Sequence, residues 1–216
     1  MLKFAAALAG GLALLLLPRL GRLRTRYDTA ALHPLPGDAP ADDPALVQRL
    51  TAWARDGMGC GATVLPTAQP RVPRPLAVAW ADAAAADSVQ HAAYRLAGYH
   101  QLDTRSRLGG LLYRVGVQLR PLLWCVPLAA DAPWDDAWFA AGSTLPLDAL
   151  RAWRPRRPTV IVVADATQVT ALVDALTGTP SHGGHALRVV GLLPAGAVPP
   201  ALPGDVPVCD LRATPR

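Results

Sequence analysis

Two aspartates stand where chemistry could take place, because each follows an apolar run that is typical of a buried strand. Asp82 comes after residues 76–80, and Asp165 comes after residues 159–164. Ligands of open parallel sheets bind beyond the carboxyl ends of the strands, where two carboxylates could hold a metal ion or act as acid and base. Aspartate is also a preferred helix N-cap. Capping explains both positions without chemistry, and it is the role that we expect.

A pair of histidines is the second candidate for chemistry. His182 and His185 flank two glycines in the run Ser-His-Gly-Gly-His. Neighbouring imidazoles can bind a metal ion or move a proton. Glycines at this spacing are more typical of a flexible turn between a helix and a strand, and we expect such a loop. Together with the two aspartates, these histidines complete the candidate catalytic set, and we expect neither a metal ion nor a cofactor.

Several kinds of active site are excluded by what the chain lacks. It contains no glutamate and no asparagine, which rules out an HExxH zinc site and a Cys-His-Asn triad. The nucleophile elbow GxSxG, the dinucleotide fingerprint GxGxxG and the Walker A loop are also absent. The glycine-rich residues 57–61 follow a predicted helix rather than a strand, so we interpret them as a helix end and turn.

The three cysteines, Cys60, Cys125 and Cys209, are widely spaced. No CxxC or Cys/His spacing indicates a zinc site, and the odd number of cysteines indicates no disulfide framework. Cys125 stands in the apolar run 122–126, where we expect it to be a small buried hydrophobic residue.

Hydrophobic periodicity predicts an α/β fold. Residues 159–164 and 187–193 are strand-like, and between them apolar residues recur at i, i+3, i+4 and i+7 from Val169. A strand, a crossover helix and a second strand imply parallel pairing. The run 76–80, followed by a predicted helix over 83–97, suggests a similar unit. We therefore predict an open, mostly parallel sheet with flanking helices.

The chain divides into three predicted parts. Residues 1–26 form a membrane anchor helix with a basic flank, residues 27–43 form a linker rich in proline, alanine and aspartate, and residues 44–216 form a single soluble α/β domain. Asp43 and Pro44 predict the N-cap and first residue of the first helix of this domain. From about residue 194 we expect an irregular tail with a short strand.

The middle of the chain contains leucines whose role is open. Apolar residues recur at helical spacing at Leu108, Leu111, Leu112, Val115 and Leu119. Because arginines surround them, this could be a basic amphipathic helix that lies on a membrane. The alternative, which we favour, is a surface helix of the α/β domain. Farther on, residues 122–128 predict one more strand.

Aromatic residues are concentrated after this region. They are Trp134, Trp138, Phe139 and Trp153. We expect them around short helices, either as part of the core or as an exposed contact patch, and we favour the core.

The excess positive charge lies in one place. Residues 1–26 carry five basic side chains and no acidic one, which equals the net charge of +5 of the whole chain. The remaining residues therefore balance at 16 basic and 16 acidic side chains. A nucleic-acid-binding domain normally carries its own basic excess, so we expect no nucleic-acid partner.

The same N-terminal residues indicate a membrane. Residues 4–17 contain no polar side chain, and as a helix they extend about 21 Å, against about 30 Å for a bilayer core. Leu2, Leu20 and Leu23 lengthen the apolar stretch, which gives a short uncleaved anchor. A cleaved signal peptide is the alternative, although no small-x-small site follows the apolar run.

The side of the membrane stays open. Four arginines follow the apolar run within eight positions, whereas Lys3 is the only basic side chain before it. The positive-inside rule therefore favours a cytoplasmic domain at the bacterial inner membrane, with a periplasmic domain as the alternative. We expect a single-pass accessory or regulatory protein that acts through a protein partner. The alternative is a membrane-associated enzyme on a small or lipid-linked substrate that uses Asp82 and Asp165.

Overall fold

An all-parallel sheet of five strands forms the centre of the fold. The computed structural model describes residues 30–56, 76–103, 105–106, 108–113, 133–155, 157–177, 185–203 and 206–212. The strands are β1 (Leu76–Asp82), β2 (Asp135–Phe139), β3 (Thr159–Val163), β4 (Leu187–Leu193) and β5 (Val208–Asp210). Their order across the sheet is β2-β3-β4-β1-β5, and each neighbouring pair is parallel. The predicted α/β class with a parallel sheet is confirmed.

Helices cover both faces of this sheet. They are α1 (Pro44–Asp56), α2 (Ala86–Leu96), α3 (His100–Asp103), α4 (Leu147–Ala152) and α5 (Ala166–Thr177), and a 3₁₀ turn (Ala83–Ala85) precedes α2. Apolar side chains of α1 and α2 pack on one face, and those of α4 and α5 pack on the other. Successive strand residues supply the two cores in turn: Val160 and Val162 face α1 and α2, whereas Ile161 and Val163 face α4 and α5.

The first helix shows how local sequence determines these elements. The carboxylate of Asp43 accepts a hydrogen bond of 2.9 Å from the backbone N–H of Leu46, and Pro44 is the first helical residue. Proline has no N–H to lose at that position, so it begins a helix without cost. The buried positions of α1 are Leu46, Val47, Leu50, Trp53 and Ala54. The predicted start of this helix is confirmed.

Strand β2 was not expected from the sequence. The prediction that the aromatic residues lie around short helices is wrong for Trp138 and Phe139, because both belong to the edge strand β2. The strand begins with the two buried aspartates Asp135 and Asp136, which hide the apolar pattern of a strand. The core role is confirmed for Phe139 and Trp153, which are buried. The strand predicted at 122–128 lies outside the described residues.

The residues before α1 lie against the domain. Ala31 and Leu32 are fully buried, and the carbonyl of His33 accepts a hydrogen bond of 3.1 Å from the backbone N–H of Trp138. Farther along, the N–H of Asp43 donates to Ser88 Oγ over 2.9 Å. The part of the predicted linker that the structure describes is therefore packed onto the sheet and α2.

Two features bear on the predicted membrane association and on the cysteines. In the described part of the chain, no helix has the length and apolar character needed to cross a bilayer, and the predicted anchor lies outside that part. Cys209 on β5 is disulfide-bonded. The spacing of the three cysteines indicates no disulfide framework, and it did not reveal this single bond, because spacing along the chain does not determine which residues meet in space.

Candidate functional site

The two candidate aspartates lie at the carboxyl edge of the sheet, and each caps the turn that follows its strand. Asp82 ends β1 and accepts a hydrogen bond of 2.9 Å from the backbone N–H of Ala84. Asp165 follows β3 and accepts from the N–H of Thr167 over 3.0 Å and from its hydroxyl over 2.7 Å. These bonds favour the ionised carboxylate and lower the pKa of Asp165. The capping role that we expected is confirmed for both.

Although both carboxylates lie at this edge of the sheet, they are not close to each other. Strand β4 lies between β1 and β3, which separates the strand ends by two spacings, about 10 Å in all. The chain after Asp82 turns to the face covered by α2, whereas the chain after Asp165 turns to the face covered by α5. Each aspartate therefore begins a helical segment on a different face of the sheet. An acid–base role for the pair stays a prediction.

A charged pair that the sequence did not reveal lies beside Asp82. Arg212 donates to both carboxylate oxygens of Asp210, over 3.0 and 2.8 Å, and to the carbonyl of Ala197 over 2.7 Å. The hydrogen bond to Asp210 raises the pKa of Arg212, and the charge of Asp82 raises it further. This pair therefore fastens the end of β5 to the loop after β4.

His185 lies at the opposite edge of the sheet, just before β4. It is partly buried, and burial lowers the pKa of its imidazole although the nearby charge of Asp135 acts in the other direction. The seven residues of β4 extend about 20 Å, so His185 is not brought together with Asp82 or Asp165. His182 lies outside the described residues.

Buried charges surround the amino edge near His185. Arg188 on β4 is fully buried, and burial lowers its pKa to about 10. Its Nε donates to the carbonyl of Ala54 over 2.8 Å, near the end of α1. Arg157 lies 3.8 Å from the carboxylate of Asp135. A guanidinium group at a helix C-terminus stabilises the exposed carbonyl groups there, which gives Arg188 a structural role.

A cavity of about 570 Å³ opens at the same edge, between the ends of α1 and α2. Described residues that line it are Val47, Gln48, Thr51, Ala52, Arg55, Arg95, Leu96, Gly98, His100, Gln101 and Trp134. Sequence reasoning missed this site, because its walls come from segments far apart in the chain and no single motif marks them.

Nothing in the described residues forms a metal centre: no group of three or more histidine, cysteine or acidic side chains among them could hold an ion. The chain matches no protein-family model, no curated protein and no solved structure.

Proposed function

We propose that this chain is a membrane-anchored accessory protein whose α/β domain binds a protein partner through an exposed leucine face. That face consists of Leu108, Leu111 and Leu112, which are 69%, 46% and 64% exposed in the helical residues 108–113. Positions i, i+3 and i+4 lie on one side of a helix. Large apolar side chains grouped on a surface are typical of interaction sites, and this is the observation that carries the proposal.

The helical turn is held with its leucines outward. The backbone N–H of Gly110 donates to the carbonyl of Ser106 over 2.7 Å, and that of Gly109 donates to the Ser106 hydroxyl over 3.2 Å. Gly110 is buried, while Arg105 stacks over the ring of Tyr113 at 4.7 Å. Gly110 and Tyr113 therefore lie on the side of the turn opposite to the leucines, which are left exposed for a partner.

A protein is favoured over a lipid surface by charge. Residues 27–216, which comprise the linker and the domain, carry 16 basic and 16 acidic side chains, so this part of the chain as a whole has no net positive charge to attract anionic lipids. Leucines at i, i+3 and i+4 match the spacing with which one helix enters an apolar groove of another protein. The enzyme alternative is weakened because Asp82 and Asp165 are both engaged as caps.

Site-specific photo-crosslinking in intact cells tests the partner. A photoreactive residue at Leu108 or Leu112 should give one discrete protein adduct, and Leu111→Asp should abolish it. The same residue at Val198, which is 85% exposed on the loop after β4, serves as the control. Adducts with lipid alone, or equal adducts from Val198, would reject the leucine face as a protein-binding site.

We also propose that the domain lies on the periplasmic side. Disulfides persist in oxidising compartments and are rare in the cytosol, and Cys209 is disulfide-bonded. This supports the periplasmic alternative against the orientation that the four flanking arginines favour. Alkaline phosphatase fused after the C-terminus should be active, and a fluorescent protein that folds only in the cytoplasm should be dark there. The reverse result would return the domain to the cytoplasm.

A further inference from the structure

We infer that the cavity between α1 and α2 binds a small organic anion, one that carries a phosphate or carboxylate next to an apolar group. The cavity volume of about 570 Å³ lies in the range of sites for small molecules. Among the described residues that line it, three side chains are basic and none is acidic. This inference does not depend on the leucine face or on the side of the membrane.

The basic side chains come from three separate elements. Arg55 lies in the last turn of α1, Arg95 lies in the last turn of α2, and His100 begins α3. Both arginines are exposed at the surface of the helices, and no ion pair joins either of them to another described residue. Guanidinium groups that are not already paired can grip phosphate or carboxylate with two hydrogen bonds each.

The turn after α2 brings these groups to one opening. Gly98 has a φ of +76°, a conformation that glycine adopts without strain. Its N–H donates to the carbonyl of Arg95 over 3.0 Å, and its own carbonyl accepts from Gln101 over 3.1 Å. The chain therefore reverses within a few residues, and both Arg95 and His100 contribute to the same cavity wall.

Apolar residues supply the rest of the site. Trp134 and Leu96 are buried side chains on its inner wall, and Val47 is buried on the α1 side. The backbone N–H of Trp134 donates to the carbonyl of Leu96 over 3.0 Å, which fixes these two walls together. An indole face beside cationic groups suits a ligand that joins a flat or apolar body to an anionic end.

Helix dipoles offer a simpler reason for the arginines. A cation in the last turn of a helix interacts favourably with the partial negative charge there, and Arg55 and Arg95 both occupy such turns. That reason explains each arginine singly. It does not explain why both line one cavity together with His100 and with no acidic residue among the described lining side chains.

Calorimetric titration of the full chain in non-ionic detergent micelles tests this site. Phenyl phosphate, which has an anion and an apolar ring, should bind saturably, whereas inorganic phosphate and benzyl alcohol should each bind more weakly. In the double variant Arg55→Ala and Arg95→Ala, affinity for phenyl phosphate should fall about tenfold or more, since charge-assisted hydrogen bonds are lost. Arg154→Ala, which removes an exposed arginine outside the cavity, should leave affinity unchanged.

A parallel titration with dihexanoyl phosphatidic acid distinguishes a lipid headgroup from a soluble anion. Tighter binding of the phosphatidic acid indicates a lipid ligand, and tighter binding of phenyl phosphate indicates a soluble one. Because Arg55 and Arg95 are exposed, the double variant should keep its circular dichroism spectrum. The inference is overturned if neither anion binds saturably, if the double variant binds as well as the parent, or if benzyl alcohol matches phenyl phosphate.

Discussion

The indole ring of Trp80 on β1 lies directly over Gly191 on the neighbouring strand β4. The two residues are paired in the parallel register, and a Cβ added to Gly191 would lie 2.6 Å from Cε3 of Trp80. Val169 of α5 would be 3.0 Å away on the same side. Glycine at this position therefore provides the space that the largest buried side chain of β1 occupies.

Gly191→Ala should destabilise the domain by about 2 kcal/mol, because an added methyl group overpacks a filled core. Urea denaturation followed by circular dichroism measures the change. Gly110→Ala is the matched control, since nothing lies within 4 Å of a Cβ at that helical position. There alanine should leave stability unchanged or raise it by about 0.5 kcal/mol. Equal losses from both variants would contradict the packing of Trp80 on Gly191.

Alanine at Asp82 or Asp165 should cost about 1 kcal/mol each, the usual price of a lost N-cap. Asparagine keeps an acceptor oxygen, so Asp82→Asn and Asp165→Asn should cost clearly less. Asp174→Ala, on the exposed side of α5, should have little effect. Thermal and urea unfolding of the five variants measure these losses of stability. The capping role is rejected if the asparagine variants lose as much stability as the alanine variants.

Acid should destabilise the fold partly through His185. Burial holds the pKa of this imidazole below its ordinary 6.5, so below that pH the unfolded chain binds the proton more readily than the folded one. Stability therefore falls as pH decreases from 6.5 through the lowered value. In His185→Gln, the decrease in unfolding free energy between pH 7.5 and pH 5 should be smaller than in the parent. Identical decreases would show that His185 does not contribute.

Arg188→Ala should destabilise the domain by about 3 kcal/mol, because it leaves a carbonyl at the end of α1 without its buried charged donor. The exposed Arg154 again supplies the control, and Arg154→Ala should stay within about 0.5 kcal/mol of the parent. Hydrogen exchange adds a local readout: amides in the last turn of α1 should exchange faster in Arg188→Ala. Unchanged exchange there would contradict the contact between Arg188 and Ala54.

Elements with a clear period could be predicted from the sequence. Strand β3 is a run of β-branched residues, and the helix after it repeats apolar positions from Val169, so the sequence predicts both elements together with the N-cap Asp165 of the helix. Strand β2 was missed because Asp135 and Asp136 occupy buried positions that the rule of apolar interiors assigns to the surface. Their burial depends on partners from other parts of the chain, such as Arg157 for Asp135, and such pairing is not visible locally.

For the candidate site too, one part could be predicted from the sequence and another could not. Capping by Asp82 and Asp165 is a local property, so residue type and position were enough to predict it. The cavity lined by Arg55 and Arg95 is a tertiary property, because it forms where α1 and α2 pack together on the sheet. A basic residue in the last turn of a helix is common, and nothing in the sequence distinguishes these two from others.

The position of β1 inside the sheet also constrains how the protein can be made. Both of its neighbours come late: Leu187, the first residue of β4, follows Asp82 by 105 positions, and β5 comes later still. During synthesis β1 therefore leaves the ribosome with both of its hydrogen-bonding edges unsatisfied, and it cannot pair until β4 has emerged. We expect the nascent chain to stay protease-sensitive and dependent on chaperones until then. A chain that remains unfolded this long is also one that a translocation channel can still thread.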